Sequence, residues 1–410
     1  MGQRTYPFGY CTNVHAGTSL DQAKANLLEH AAAVRSQVIP DGQLPVGLWL
    51  AENAADALLD AQLLDEFRIW LDEHRFSCYT FNGFPQGDFH QPVVKHKVYE
   101  PTWACDSRAR YTMCLAEILD VLLPDGTAGS ISTLPLGWPH APWHAENFKA
   151  CADNLLDVAK YLDRLAQASG RQIVLAIEPE PGCVLNTAME VVEFFEHYLF
   201  AGPDGGLARE YLSVCHDICH SGVMFESQVS ALELYRHHGI RVGKVQVSSA
   251  VHVPWDECLS DAAQQAAVLG QLKLFNEPKY LHQTTRANHE GNLDKLAVDL
   301  SQALEQWVSD QQRPETAWRI HFHIPIFVKS MKSLLTTQRD ITDATRYLEA
   351  NREATVGASQ WFTGHYEVET YAWPVLPPEL AVNTLADGIA RELQYFQSVL
   401  QVARSDTPAH

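Results

Sequence analysis

Residues 172–182 read QIVLAIEPEPG. An apolar, partly β-branched run from Gln172 to Glu178 has the length of one strand, and the Pro and Gly that follow stop it. Upstream, residues 145–169 (AENFKACADNLLDVAKYLDRLAQAS) place apolar residues at i, i+3, i+4 and i+7, the stripe of an amphipathic helix. Working outward in both directions, the same alternation recurs. Strand-length runs lie at 8–15, 44–50, 76–82, 129–134, 172–178, 212–217, 242–248 and 366–371. Helical patterns lie between and after them, as at 19–38, 51–74 and 377–403. Parallel strands joined by helices, eight times over, predict an α/β fold of the (β/α)8 TIM-barrel type.

The interval between 248 and 366 is too long for one helix. It holds the β-like piece KYLHQTTR (279–286) and the strand-like run WRIHFHIPIF (318–327). A single domain over 1–402 is expected, with an insertion at 249–317 after strand seven near the active-site face, and a disordered tail at 403–410. Loops at that end of a barrel build the site, so the insertion is expected to shape a pocket.

Fifty Asp and Glu against thirty Lys and Arg give a formal charge of −20. With no cluster of Lys or Arg to neutralise a run of phosphates, nucleic acid is excluded as a partner. No run of eighteen apolar residues and no basic-then-apolar leader occurs, so neither a membrane span nor a secretion signal is expected. The nine cysteines contain no CxxC pair and read as free thiols of a reducing compartment, which makes the expected location cytoplasmic.

Carboxylates, imidazoles and amides stand where the strands hand over to loops: Asn13 and His15, Asn82, Glu178, Asp217 with His220, Gln246, and Glu369. Any one carboxylate there is equally well explained by a neighbouring Arg or backbone N–H. For Glu178, Asp217, His220 and Glu369 together at one rim, desolvation makes a shared cation the economical partner, because only Lys244 and Arg319 lie near these strand ends. The donor types suit Mn2+, Mg2+, Co2+ or Zn2+. His15, Asn13 and Asn82 are expected to hydrogen-bond a polyol. His282 and Arg286, on the β-like piece of the insertion, are expected to cap the pocket and meet a substrate hydroxyl or phosphate. His90 and Lys95 fall in the long loop after strand three, with Phe84, Phe89, Tyr99 and Trp103 nearby as an aromatic wall or as plain loop packing.

IVLAIEPEPG, LSVCHDICH, GKVQVSS and YEVETYAW resemble the xylose-isomerase-like barrel superfamily of sugar isomerases, epimerases and endonuclease IV. YCTNVHAG, FNGFPQGDFH, GSISTLPLG, YLHQTT, HFHIPIF and VETYAWPVLPPEL extend the resemblance, from near Tyr6 to near Gln401, to EboE-type metabolite traffic proteins. The superfamily implies a divalent metal held by Glu178, Asp217, the residue on strand seven and Glu369. That strand-seven residue is Gln246 here, where the superfamily has His. The resemblance of HFHIPIF to a His-x-Pro ligand loop implies His323 as a replacement, with His321 two residues away. It implies that His220 contacts substrate or a second metal, and that Glu178 and Glu369 are the catalytic base and acid. The implied activity is a metal-dependent sugar or cyclitol isomerase or epimerase working by proton transfer next to a carbonyl, in secondary-metabolite biosynthesis or export. Its substrate would be a small polyol, sugar or cyclitol, free or lipid-linked. The alternative is a non-catalytic metabolite carrier on the same barrel, with Gln246 as the sign of lost activity.

Overall fold

The structure, a computed structural model, describes residues 5–140, 142–258, 261–309 and 316–406. Nine parallel strand segments form one sheet. Their spatial order is Phe76–Ser77, Leu44–Gly47, Gly9–Cys11, Tyr366–Val368, Val242–Val247, Leu212–Asp217, Ile173–Ile177, Gly129–Thr133 and Thr80–Asn82. The first and last of these are two halves of the third strand, interrupted at Cys78 and Tyr79. Leu48 completes the ring between them: its N–H donates to the Thr80 carbonyl at 3.1 Å and its carbonyl accepts from Asn82 N–H at 2.8 Å. Nine segments with one strand counted twice leave eight strands, a closed (β/α)8 barrel.

All eight predicted strands are present, several of them shorter at the rim. The run predicted at 8–15 ends as a strand at Cys11, and Thr12–Val14 form a 3-10 turn that brings Asn13 over the mouth. The last barrel strand ends at Val368, which frees Glu369 to point across it. Alternation sorts the side chains. On Val242–Val247, Val245 and Val247 join the apolar core against the helices, while Lys244 and Gln246 are fully buried inside the barrel. Caps fix the helices that separate the strands. Ala145–Ser169 stops at Gly170 in the left-handed conformation (φ 75°), and Thr187 and Glu190 form a capping box on Ala188–Phe194.

The insertion is larger than the sequence suggests. Val251–Val253, Thr284–Ala287, Leu293–Ala297, Ala317–Ile320, Ser330–Met331 and Leu334–Thr336 pair as a six-stranded antiparallel sheet. Trp255 stacks on Trp307, and Trp318 meets both edge-on, in its separate apolar core. It therefore runs past residue 317 to Thr336, because the strand Ala317–Ile320 pairs inside the sheet rather than returning to the barrel. The helix Gln338–Ala350 then packs back against the barrel helices Gln228–His237 and Leu385–Asp406. That last helix takes in residues 403–406 of the predicted tail, which are thus ordered, and 407–410 lie outside the described residues. Among the described residues the cysteines are free thiols, and no helix is long and apolar enough to cross a membrane.

Candidate metal centre and substrate pocket

Three acidic side chains meet at the C-terminal mouth of the barrel. Glu178 follows the fifth strand directly and is held by its N–H on the Thr133 carbonyl at 2.9 Å. Asp217 ends the sixth strand and caps the helix Ile218–Val223: its Oδ1 accepts from His220 N–H at 2.9 Å and from Ser248 Oγ at 2.7 Å. Glu369 follows the eighth strand, and its Oε1 accepts from Asn13 Nδ2 at 2.7 Å and Asn82 Nδ2 at 3.0 Å. One oxygen from each of the three lies within 4.8 Å of the others, and all three residues are buried. Glu178 Oε2 and Asp217 Oδ2 are buried without a hydrogen-bond partner among the described residues.

No Lys or Arg among the described residues pairs with any of the three. Lys244 Nζ sits 2.6 Å from Glu367 in the barrel interior, so its charge is already matched. Arg319 donates to the Gly222 carbonyl at 2.6 Å. Burial first, then mutual repulsion, pushes Glu178 well above the usual carboxylate range and Glu369 up to about 8. Burial raises Asp217 as well. Each shift favours the neutral carboxyl, and a bound cation would oppose it.

The histidines are arranged to offer lone pairs. Carbonyl oxygens only accept, so His323 Nδ1–H donates to the Glu369 carbonyl at 2.9 Å, and its buried Nε2 is left bare. An imidazole fixed this way by a backbone carbonyl is the usual arrangement of a metal ligand. His220 Nδ1–H likewise donates to the Pro179 carbonyl at 2.9 Å. Gln283 donates its Nε2 to Glu180 Oε1 and to Tyr99 Oη, both at 3.0 Å, so its Oε1 accepts from His321 Nδ1–H at 2.8 Å. The free nitrogens of His220 and His321 then face each other at 3.1 Å with a lone pair on each. That contact requires a shared proton or cation. Burial pushes His220 down to about 3, His323 to about 4 and His321 well below the usual value, which favours a cation over a proton at neutral pH. Asp217, His220 and His323 form one ligand-sized group, and Glu180, His220 and His321 another.

Gln246 lies in register with Asp217 on one side and Glu367 on the other. It is fully buried, and neither amide atom has a partner among the described residues. A buried amide left open on both atoms costs about 1–3 kcal/mol per group, and a cation above it would satisfy the oxygen. The orphaned Glu178 and Asp217 oxygens, together with Glu369, are spaced to fit a divalent ion, and Asp217, His220 and His323 offer a second such spacing.

A pocket opens above these groups. Asn13, Asn82, Glu178, His220, His323 and Glu369 all reach it, and so does His321. Three sequence-predicted substrate contacts do not. His15 turns behind the first strand, where Tyr10 Oη meets its Nε2 at 3.0 Å and the His30 ring stacks on it. His282 is spent within the insertion, on the His321 carbonyl at 3.1 Å and Glu277 at 2.9 Å, so it supports the backbone of His321. Arg286 lies over Trp318 and donates to the Ala303 carbonyl and Gln306, inside the core of the inserted sheet. Of the predicted aromatic wall, Phe84, Phe89 and Tyr99 line the pocket, while Trp103 is buried with its Nε1 on Thr133 Oγ1. His90 anchors the Asn13 turn through the Asn13 carbonyl at 2.7 Å. Glu180, Gln283, Tyr280, Tyr371 and Ser248 also join the site, without being among the residues expected there. The Glu-Pro-Glu spacing is a signal for Glu180 alone.

Solved structures share this architecture. A xylose isomerase-like TIM barrel protein from Mycobacterium smegmatis, solved in complex with magnesium, superposes with a TM-score of 0.51 at 11% identity, covering 97% of this chain and 98% of that one. The chain has the xylose isomerase-like TIM-barrel fold. An L-ribulose 3-epimerase (TM-score 0.47, 11% identity, 99% and 97% covered) and the IolI protein with a bound zinc (0.43, 12%, 98% and 99%) are more distant matches. No protein-family model and no curated protein sequence matches the chain.

Proposed function

We propose that the protein is a divalent-metal-dependent isomerase or epimerase of a small sugar, cyclitol or related polyol. The observation that carries this reading is the gathering of Glu178, Asp217 and Glu369 around unsatisfied oxygens, with His323 Nε2 bare beside Asp217 and, among the described residues, no guanidinium or ammonium paired with them. Glu178, Asp217, Glu369, Gln246 and His323 would hold the ion. Bound there, the ion supplies Lewis-acid stabilisation of the oxygen charge that develops when a proton leaves the carbon next to a carbonyl. Glu178 and Glu369 follow the fifth and eighth strands and both reach the pocket, so one carboxylate removes the proton and the other returns one. Asn13 and Asn82 fix the Glu369 carboxylate by donating to it. His220, its Nδ1 pinned on Pro179, faces the same space and meets a substrate oxygen or a second ion. The likeness to the EboE-type sequences supports a cyclitol-like substrate in a secondary-metabolite pathway.

Solvent exchange tests the reading. Mn2+-loaded protein incubated in D2O with a panel of ketoses and inososes is expected to place deuterium next to the carbonyl of at least one of them. Glu178→Gln and Glu369→Gln are expected to abolish that exchange with an unchanged circular dichroism spectrum. Exchange that persists in both variants contradicts the assignment.

A further inference from the structure

The pocket has two chemically different sides. Its floor is the carboxylate and imidazole cluster. The outer wall is built from the loop after the third strand and from the insertion, by Phe84, Phe89, Val94, Val98, Tyr280 and Leu281. The Tyr371 ring joins the two sides: its centroid is 4.5 Å from that of His323, 5.0 Å from Tyr280 and 5.8 Å from Phe89. An apolar surface therefore starts at a proposed ligand and runs outward.

Polar partners on that wall are few. Lys95 is ion-paired with Asp299, and Tyr99 Oη donates to Glu180 at 2.7 Å. The Tyr280 hydroxyl is buried and has no partner among the described residues. A sugar extended along this side would bury hydroxyls against carbon, which is unfavourable for each one left unpaired. The wall is also preformed. Backbone N–H groups of Val94 and Lys95 both donate to the Lys279 carbonyl, at 2.8 and 3.2 Å, and the Lys95–Asp299 pair adds a second tie between the loop and the insertion. A long chain leaving between them would have to break these contacts.

We infer that the substrate carries a compact apolar substituent, the size of one ring or a short branched alkyl group, beside its oxygen-bearing head. The head lies on the carboxylate cluster, the substituent on Phe89, Val98, Tyr280 and Leu281, and the Tyr280 hydroxyl donates to an oxygen at the junction. This rests on the metal-dependent reading above, and the test separates the two.

Hydroxamates chelate a divalent ion through two oxygens, so the Mn2+-loaded full chain is titrated calorimetrically with acetohydroxamate, phenylacetohydroxamate and octanohydroxamate. Phenylacetohydroxamate is expected to bind at least about tenfold more tightly than acetohydroxamate, and the octanoyl compound no more tightly than the phenylacetyl one. In Leu281→Asp and in Val98→Asp, the phenylacetyl-to-acetyl affinity ratio is expected to fall towards one. Equal affinities in the unsubstituted protein overturn the inference, and an octanoyl compound tenfold tighter than the phenylacetyl one overturns it in favour of a lipid chain. If the protein retains no Mn2+, the metal reading fails by itself. The wall is then tested by thermal shift with benzyl alcohol, where stabilisation of the unsubstituted protein but not of Leu281→Asp or Val98→Asp supports the inference and equal shifts overturn it.

Discussion

Replacing Glu369 by Gln is expected to stabilise the metal-free protein, and by more at higher pH. Burial, helped by the charges of Asp217 and Glu367, pushes the Glu369 carboxyl from 4.5 up to about 8. Its folded value is above its unfolded one, so the folded chain holds a proton that the unfolded chain has released. The stability it contributes is fully present below about 4.5 and is lost as pH rises through about 8. One such proton is worth about 1.4 kcal/mol per pH unit. From pH 6 to pH 8, with half-titration trimming the last step, the wild type loses about 2 kcal/mol relative to Glu369→Gln. The amide keeps the shape, and its oxygen still accepts from Asn13 and Asn82. Measuring the variant against the wild type at each pH cancels the buried histidines, whose contribution has the opposite sign: His220, pushed down to about 3, adds stability as pH rises through the ordinary imidazole range. The assay is urea unfolding in EDTA at pH 6 and pH 8. Saturating Mn2+ is expected to narrow the gap at pH 8, since an ion at a hundred times its Kd adds about 2.7 kcal/mol to the protein that binds it. A gap in EDTA that does not widen with pH, or a variant less stable than wild type at pH 8, refutes the reasoning.

His323→Ala is expected to weaken Mn2+ binding at least about tenfold by calorimetry, and an unchanged affinity removes His323 from the ligand set. Gln246→Leu, which replaces two orphaned amide atoms with carbon, is expected to stabilise the metal-free protein by about 1–3 kcal/mol while weakening metal binding; destabilisation with full metal affinity contradicts the role given to the amide. Gly47→Ala places a Cβ 1.1 Å from Glu367 Oε1 and is expected to lower the free energy of urea unfolding by about 3–5 kcal/mol by displacing the carboxylate from Lys244. Arg286→Met is expected to lower stability and leave Mn2+ affinity unchanged, and loss of metal with stability intact would return Arg286 to the site.

The eight strands were legible because each is an apolar run of strand length bounded by Pro, Gly or a charged residue, a local property. That Glu178, Asp217 and Glu369 share one rim was legible for the same reason, since each stands at or just past a strand's end and all parallel strands end on one face. Which way a rim side chain turns was not. His15 and Asn13 are two residues apart, yet the 3-10 turn sends one behind the barrel and the other over its mouth. Arg286 reads as a pocket cation on its own segment, and only pairing of that segment with Ala317–Ile320 sets it on Trp318. The insertion's end was misplaced because the strand run at 317 gives no sign of which sheet it joins. Glu180 was passed over because its partners, Tyr99 and Gln283, are distant in sequence.

Diffraction from a crystal grown with Mn2+, with anomalous differences recorded at the manganese edge, tests the central claim most directly. A strong peak is expected, bonded to oxygens of Glu178, Asp217 and Glu369 and to Nε2 of His323, with the Gln246 amide oxygen turned towards it. A mouth without a peak, its three carboxylates swung apart onto separate protein donors, would contradict it.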